Sequence, residues 1–156
     1  MANAAATLVG QNLGAGQPER AEKSVWKAGF FNMVFLAFIM VVFLLLSAPI
    51  LRFFSNDELV IGYGTQCLQI VAFGYLFYGY GMVITQSFNG AGDTKTPTVL
   101  NLLGFWCFQI PLAYLLAIQF KFGPNGVYAA IAIAESAIAV AGIYLFRQGK
   151  WKLVKV

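Results

Sequence analysis

One residue in the run YAAIAIAESAIAVAG, from Tyr128 to Gly142, can carry a charge: Glu135. A charge at the centre of a long apolar helix costs a few kcal/mol or more in lipid, so such acids face a bundle interior or a wet cavity. Two uses follow. The carboxyl can exchange a proton for a carrier, or it can stay neutral and hydrogen-bonded and fasten helices together. The sequence leaves both open. A second set of polar groups lies upstream: Gln66, Gln69, Tyr75, Tyr78, Tyr80, Thr85, Gln86 and Asn89. Lipid cannot hydrogen-bond amides, so some of them must meet protein or water. Helical spacing brings Gln69, Gly79 and Gln86 near one face, and Gln66 and Tyr80 near another. Gln69, Tyr75, Tyr78 and Gln86 are candidates for the wall of a substrate cavity, joined by Asn101 and Gln109 from the next segment. The alternative is interfacial tyrosines plus bonds between helices. Pro111, in FWCFQIPLAYLL, removes a backbone donor from its helix and is a candidate hinge.

The same inventory excludes much chemistry. The chain has no histidine, so it offers no imidazole base. No cluster has metal-ligand spacing, and the glycine strings lack the strand and helix context of a phosphate loop. No enzyme, cofactor or bound metal is expected. Cys67 and Cys107 stand at different depths, which argues against a disulfide.

The elements that must hold these residues follow from composition. Of 156 residues, 60% are apolar and 10% charged, against roughly 25% charged in a soluble domain. A small soluble fold leaves too much surface in water to hide that load. A bilayer core needs about 20 apolar residues per helix. Four stretches qualify, at 28–51, 65–88, 98–120 and 124–146, and a partial segment lies at 2–13. The expected class is an all-α integral membrane protein in the cell membrane. Small residues around Glu135, among them Ala130, Ala134, Ala137 and Ala141, favour close helix packing. Eight basic residues fall before the first span, between the second and third, and after the fourth, against two, Arg52 and Lys121, on the other side. Positive charge accumulates on the cytoplasmic side. Loops 17–27 and 89–97 and the basic tail 147–156 are therefore expected there, with Trp26 and Trp151 at the lipid interface. The charges flank spans and form no nucleic-acid-binding face.

The strings QNLGAG, Gln11 to Gly16, and QSFNGAG, Gln86 to Gly92, echo one another. Both close an apolar stretch on the same side, as two similar helix caps or as a structural repeat of helix pairs. The loop residues concerned are Gly14, Gly16, Asn89, Gly90, Gly92, Asp93, Thr94, Lys95 and Pro97.

Taken together, AAATLVGQNLGAGQPERAEKSVWKAG and TQSFNGAGDTKTPT resemble the carboxyl-terminal half of the multidrug and toxic compound extrusion (MATE) transporters. FRQGKWK resembles the basic end of that family's last helix. The resemblance implies a twelve-helix, two-lobe fold, of which this chain would hold the end of the eighth helix and the ninth to twelfth. It implies export of small organic, often cationic, substrates against inward protons or sodium, in membrane lipid and with an amino-terminal lobe as partner. On this reading the chain is about one third of a larger transporter, a fragment or a split-gene half. The resemblance also exposes departures. Part of the family couples through an aspartate on the first helix, which lies outside this chain. Another part uses an acid on the tenth helix, and segment 65–88 has none. A lipid-linked oligosaccharide flippase of related fold and a non-transporting membrane scaffold are the alternatives.

Overall fold

The computed structural model describes residues 1–153, and helix is the only regular structure among them. The expected position of Lys155 in the basic tail lies outside the described residues. The chain forms α1 (Ala2–Gly14), α2 (Pro18–Phe54), α3 (Glu58–Phe73), α4 (Tyr75–Gly90) and α5 (Lys95–Asn101). The helix begun by α5 continues through a π segment (Leu102–Gln109), α6 (Ile110–Tyr114) and a second π segment (Leu115–Gln119). Then come α7 (Pro124–Arg147) and a 3₁₀ turn (Lys150–Leu153).

Among the described residues, three helices are long and apolar enough to cross a membrane: α2, Lys95–Gln119 and α7. The α3–α4 pair makes a fourth if counted as one span. Segment 65–88 departs from expectation. It is not one straight helix, because the chain breaks at Gly74 and α3 and α4 meet at a 60° bend. Gly74 packs where a Cβ would lie 3.3 Å from the Ala132 Cα, a tight fit that the glycine relieves as the bent elbow touches α7. The 37 residues of α2 make it about 55 Å long at ~1.5 Å per residue, well beyond a hydrocarbon core of ~30 Å. Segment 28–51 is its middle. Pro18 starts it without losing a bond, since a first-turn N–H has no helical partner.

The echo strings become two copies of one turn. In the first, Gly16 N–H donates to Leu13 O (2.9 Å) and Gln17 N–H to Asn12 O (2.8 Å). In the second, Gly92 N–H donates to Asn89 O (3.0 Å) and Asp93 N–H to Phe88 O (2.9 Å). Both are Schellman caps, which call for a left-handed residue just past the helix. Glycine fills that position in each, with φ 69° at Gly16 and 79° at Gly92. Asp93 then starts α5: Thr96 N–H donates to its Oδ1 (3.1 Å) and Thr96 Oγ1 to its Oδ2 (2.6 Å). The two capped helices, α1 and α4, pack on each other, with Gly90 seated against the backbone of Ala6.

α4 is the hub and contacts α1, α2, α5 and α7. Glycines make this possible, since a Cβ on Gly79 would lie 2.9 Å from Met33 Cα, and one on Gly81 3.0 Å from Ala139 Cα. Beside Gly79 the buried Asn32 amide donates to Gly79 O at 2.8 Å. The main apolar core sits at the Schellman-cap end, around Val9, Val25, Ile84, Phe88, Phe146 and Trp151. Trp151 corrects an expectation. It is 1% exposed, stacked on Phe146 at 4.6 Å, with its indole N–H donated to Phe146 O. The indole is held inside the protein because the chain doubles back at Gly149 after α7, not laid in a lipid interface.

Candidate functional site

α4 turns Tyr78, Gly81, Met82, Thr85 and Gln86 toward α7, a spacing of three and four residues that keeps them on one face. α7 supplies Glu135, Ile138 and Ala139, and Asn101 and Phe105 close the far side. These ten residues line a half-open cleft of about 210 Å³. A second cleft, of about 250 Å³, lies toward the N-terminal ends of α4 and α7, between Val71, Gly74, Tyr75, Tyr78, Ile131, Ala132 and Glu135. Tyr78 and Glu135 are the residues common to both.

Glu135 is the twelfth residue of the 24 in α7. It is half-buried, and among the described residues no ion pair or hydrogen bond engages its carboxyl. Ser136 beside it is occupied, donating to Ala132 O at 2.7 Å. An acid on α7 thus faces a wall of tyrosine and amide side chains on α4, a helix with no acid of its own. Such an arrangement can take up and release a proton, and can present a polar, aromatic surface to an organic molecule.

The structure brings Tyr75, Tyr78, Gln86, Asn101 and Glu135 to the clefts. It also brings Thr85, whose spacing of seven from Tyr78 is the sequence signal for it. Gln69 and Gln109 line neither. Gln69 lies beyond the bend, where its amide donates to Leu44 O (3.3 Å) and Ser47 Oγ (3.2 Å) and ties α3 to α2. Gln66 belongs to a shallow depression with Glu58 and Tyr63, while Tyr80 packs on Trp26 at 6.1 Å. The 60° bend removes the common faces that a straight helix implied. Gln109 Oε1 is buried without a partner in the first π segment. Pro111 is exposed and follows it, at the start of α6. The widened π turns on both sides of α6 are where this helix departs from α geometry. The loop residues serve as caps: Gly16, Gly92 and Asp93 as above, while Asn89 donates to Gln86 Oε1 at 3.2 Å. Thr94 O accepts from Thr98 Oγ1. Pro97 is buried, Lys95 exposed, and Gly14 faces open space.

A family model described as MatE matches residues 1–115. "Probable multidrug resistance protein NorM" of Mesorhizobium japonicum is 33% identical over 151 residues, covering 93% of this chain and 32% of the relative. "Probable multidrug resistance protein YpnP" of Bacillus subtilis is 25% identical over 150 residues, covering 96% and 33%. Human "Multidrug and toxin extrusion protein 1" is 26% identical over 149 residues, covering 96% and 26%. Among solved structures, an inward-facing multidrug resistance MATE family transporter of the MOP superfamily superposes with a TM-score of 0.88 at 19% identity, over 99% of this chain and 36% of that one. That likeness is one of fold. The chain spans about a quarter to a third of the length of these relatives. With the MatE model matching well over half of its residues, this multi-pass membrane chain belongs to the MatE family of multidrug transporters, not to a class of enzymes.

Proposed function

We propose that the chain forms most of the carboxyl-terminal lobe of a multidrug efflux antiporter, and that Glu135 is its proton-coupling carboxyl. The observation that carries this reading is the pair of clefts meeting at Glu135. An acid used only to fasten helices would be bonded to its neighbours, and this carboxyl has no such partner among the described residues. Tyr75, Tyr78, Gln86 and Asn101 supply aromatic faces and neutral acceptors for a small organic cation, with Glu135 as the one counter-charge among the described residues of the clefts. Protonation of Glu135 releases that cation, and deprotonation readies the site for the next. This is the antiport cycle in its simplest form. The amino-terminal lobe is the partner that covers the open side of the clefts. The two Schellman-capped ends and the basic tail face the cytoplasm, a reading supported by the eight-to-two bias in Lys and Arg.

Dye efflux tests this. Cells stripped of their own pumps and expressing the chain with the helices that complete its two lobes should accumulate less ethidium than vector controls. A proton uncoupler should cancel the difference. Accumulation equal to the vector control would overturn the reading, and efflux that survives the uncoupler but collapses without sodium would reassign the coupling ion.

A further inference from the structure

Helices α4 and α7 touch at two points seven residues apart. Gly74, at the break just before α4, meets Ala132, and Gly81 within α4 meets Ala139. At both points the backbones are so close that a Cβ on the glycine would lie 3.0–3.3 Å from the alanine Cα. Tyr78 and Glu135 occupy the stretch between these contacts, four residues after Gly74 and three after Ala132. One cleft runs from there toward the N-terminal ends of both helices, past Tyr75 and Ile131. The other runs toward their C-terminal ends, past Met82, Gln86 and Ile138. Ala132 and Ile138 are each three residues from Glu135, or about 4.5 Å along the axis in opposite directions. The two clefts therefore open on opposite sides of the carboxyl.

We propose that the Tyr78 ring is the partition between two half-channels that both end on the Glu135 carboxyl, so that the position of this ring sets the side with which Glu135 exchanges its proton. The inference rests on the coupling role given to Glu135 above. The close contacts at Gly74 and Gly81 bring the backbones together on either side of the ring. The lining that the two clefts share is the side chains of Tyr78 and Glu135. Tyr78 is half-buried with a cleft on each side, which gives its ring two places to lie. The other titratable group lining either cleft is Tyr75, on the same helix. α5 and the π segment contribute Asn101 and Phe105, and among the described residues no lysine, arginine or second acid lines either cleft. Proton traffic at this waist thus depends on Glu135, with the ring as the obstacle.

The test uses the chain together with the helices that complete its lobes, reconstituted in vesicles loaded with a pH-sensitive dye. Proton leak is measured with no drug present, under a potassium diffusion potential. Tyr78→Ala should leak severalfold faster than wild type while still eluting as a monodisperse species. Tyr78→Phe, which keeps the ring, should stay as tight as wild type. Glu135→Gln added to Tyr78→Ala should return the leak to the wild-type level. Equal leak in Tyr78→Ala and wild type overturns the partition and leaves the coupling role standing. A Tyr78→Ala leak that survives Glu135→Gln shows a path that bypasses the carboxyl, and also overturns the partition. Drug-driven proton exchange undiminished in Glu135→Gln alone overturns the coupling role instead.

Discussion

Asn32 and Gly79 show how single residues hold this bundle. Gly79 lets α4 approach the backbone of Met33, and at that point the Asn32 amide bonds Gly79 O. Hydrogen bonds between membrane helices contribute about 0.6–2 kcal/mol. Asn32→Ala should lower stability by about 1 kcal/mol on that scale, read as a small shift in unfolding midpoint in a mild-detergent/SDS titration. Gly79→Leu should do far more, because its side chain would overlap the Met33 backbone and force α2 off α4. An unfolding midpoint equal to wild type for both variants would contradict this account of the α2–α4 seam. Asn32 was legible in principle, as the one amide between residues 28 and 51, but nothing in the sequence names its partner 47 positions away. Tyr78, Gln86 and Glu135 were legible because polar groups in lipid-facing lengths of chain are costly and must find company. Which of them share a cleft was not legible, because that depends on the bend at Gly74. A glycine in a run of aromatic residues carries no sign of so sharp a turn.

At the scale of elements, the end of α7 is tied to the start of α2 and to α4. Phe146 stacks on Trp151 and meets Trp26 and Phe88 edge-on, and Lys152 pairs with Glu22. The two parts of this clasp differ in weight. Burying a tryptophan is worth about 3–5 kcal/mol against alanine, whereas a pair that stays in contact with water, as the partly buried Glu22–Lys152 does, is worth about 1 kcal/mol. Trp151→Ala should therefore lower the unfolding temperature far more than Lys152→Ala. Equal shifts would contradict the stacking account. The pair also sets a pH dependence. Glu22 lies outside the span, and the hydrogen bond from Lys152 holds its carboxyl below the usual glutamate range, against the opposing effect of burial. A depressed carboxylate pKa contributes stability that is fully present above the unfolded value, about 4.3, and is lost as pH falls through the folded value. Wild type should lose this increment on acidification and Lys152→Ala should not, measured by melting temperature between pH 6 and 3. Pro111 belongs to the same scale. If its helix bends during transport, Pro111→Ala should slow transport more than it weakens dye binding, and equal effects on both would remove the hinge. The helices themselves were legible from apolar run length and from Gly and Pro at their ends. The two π segments were not, because π and α turns share the same composition.

Across the whole molecule, many of the side chains that point outward along the spans are large and apolar. Phe31, Phe35, Phe38 and Leu45 on α2 and Trp106 and Ile110 on the third span are more than half exposed. That surface suits lipid and the helices of a second lobe. The clefts at Glu135 are only half enclosed, and the chain matches about a third of the length of such relatives as YpnP. The chain by itself should therefore not move dye across vesicles, and co-reconstitution with the completing helices should restore movement. The basic bias behind the proposed orientation comes from charge counting alone, whereas the burial of Trp151 depends on a turn that no count records. The most direct measurement takes the completed transporter in vesicles with an imposed pH gradient and follows internal pH when a cationic dye is added. In wild type, dye addition should release protons down the gradient, and Glu135→Gln should abolish that release at equal protein incorporation. Undiminished release in Glu135→Gln would contradict the account.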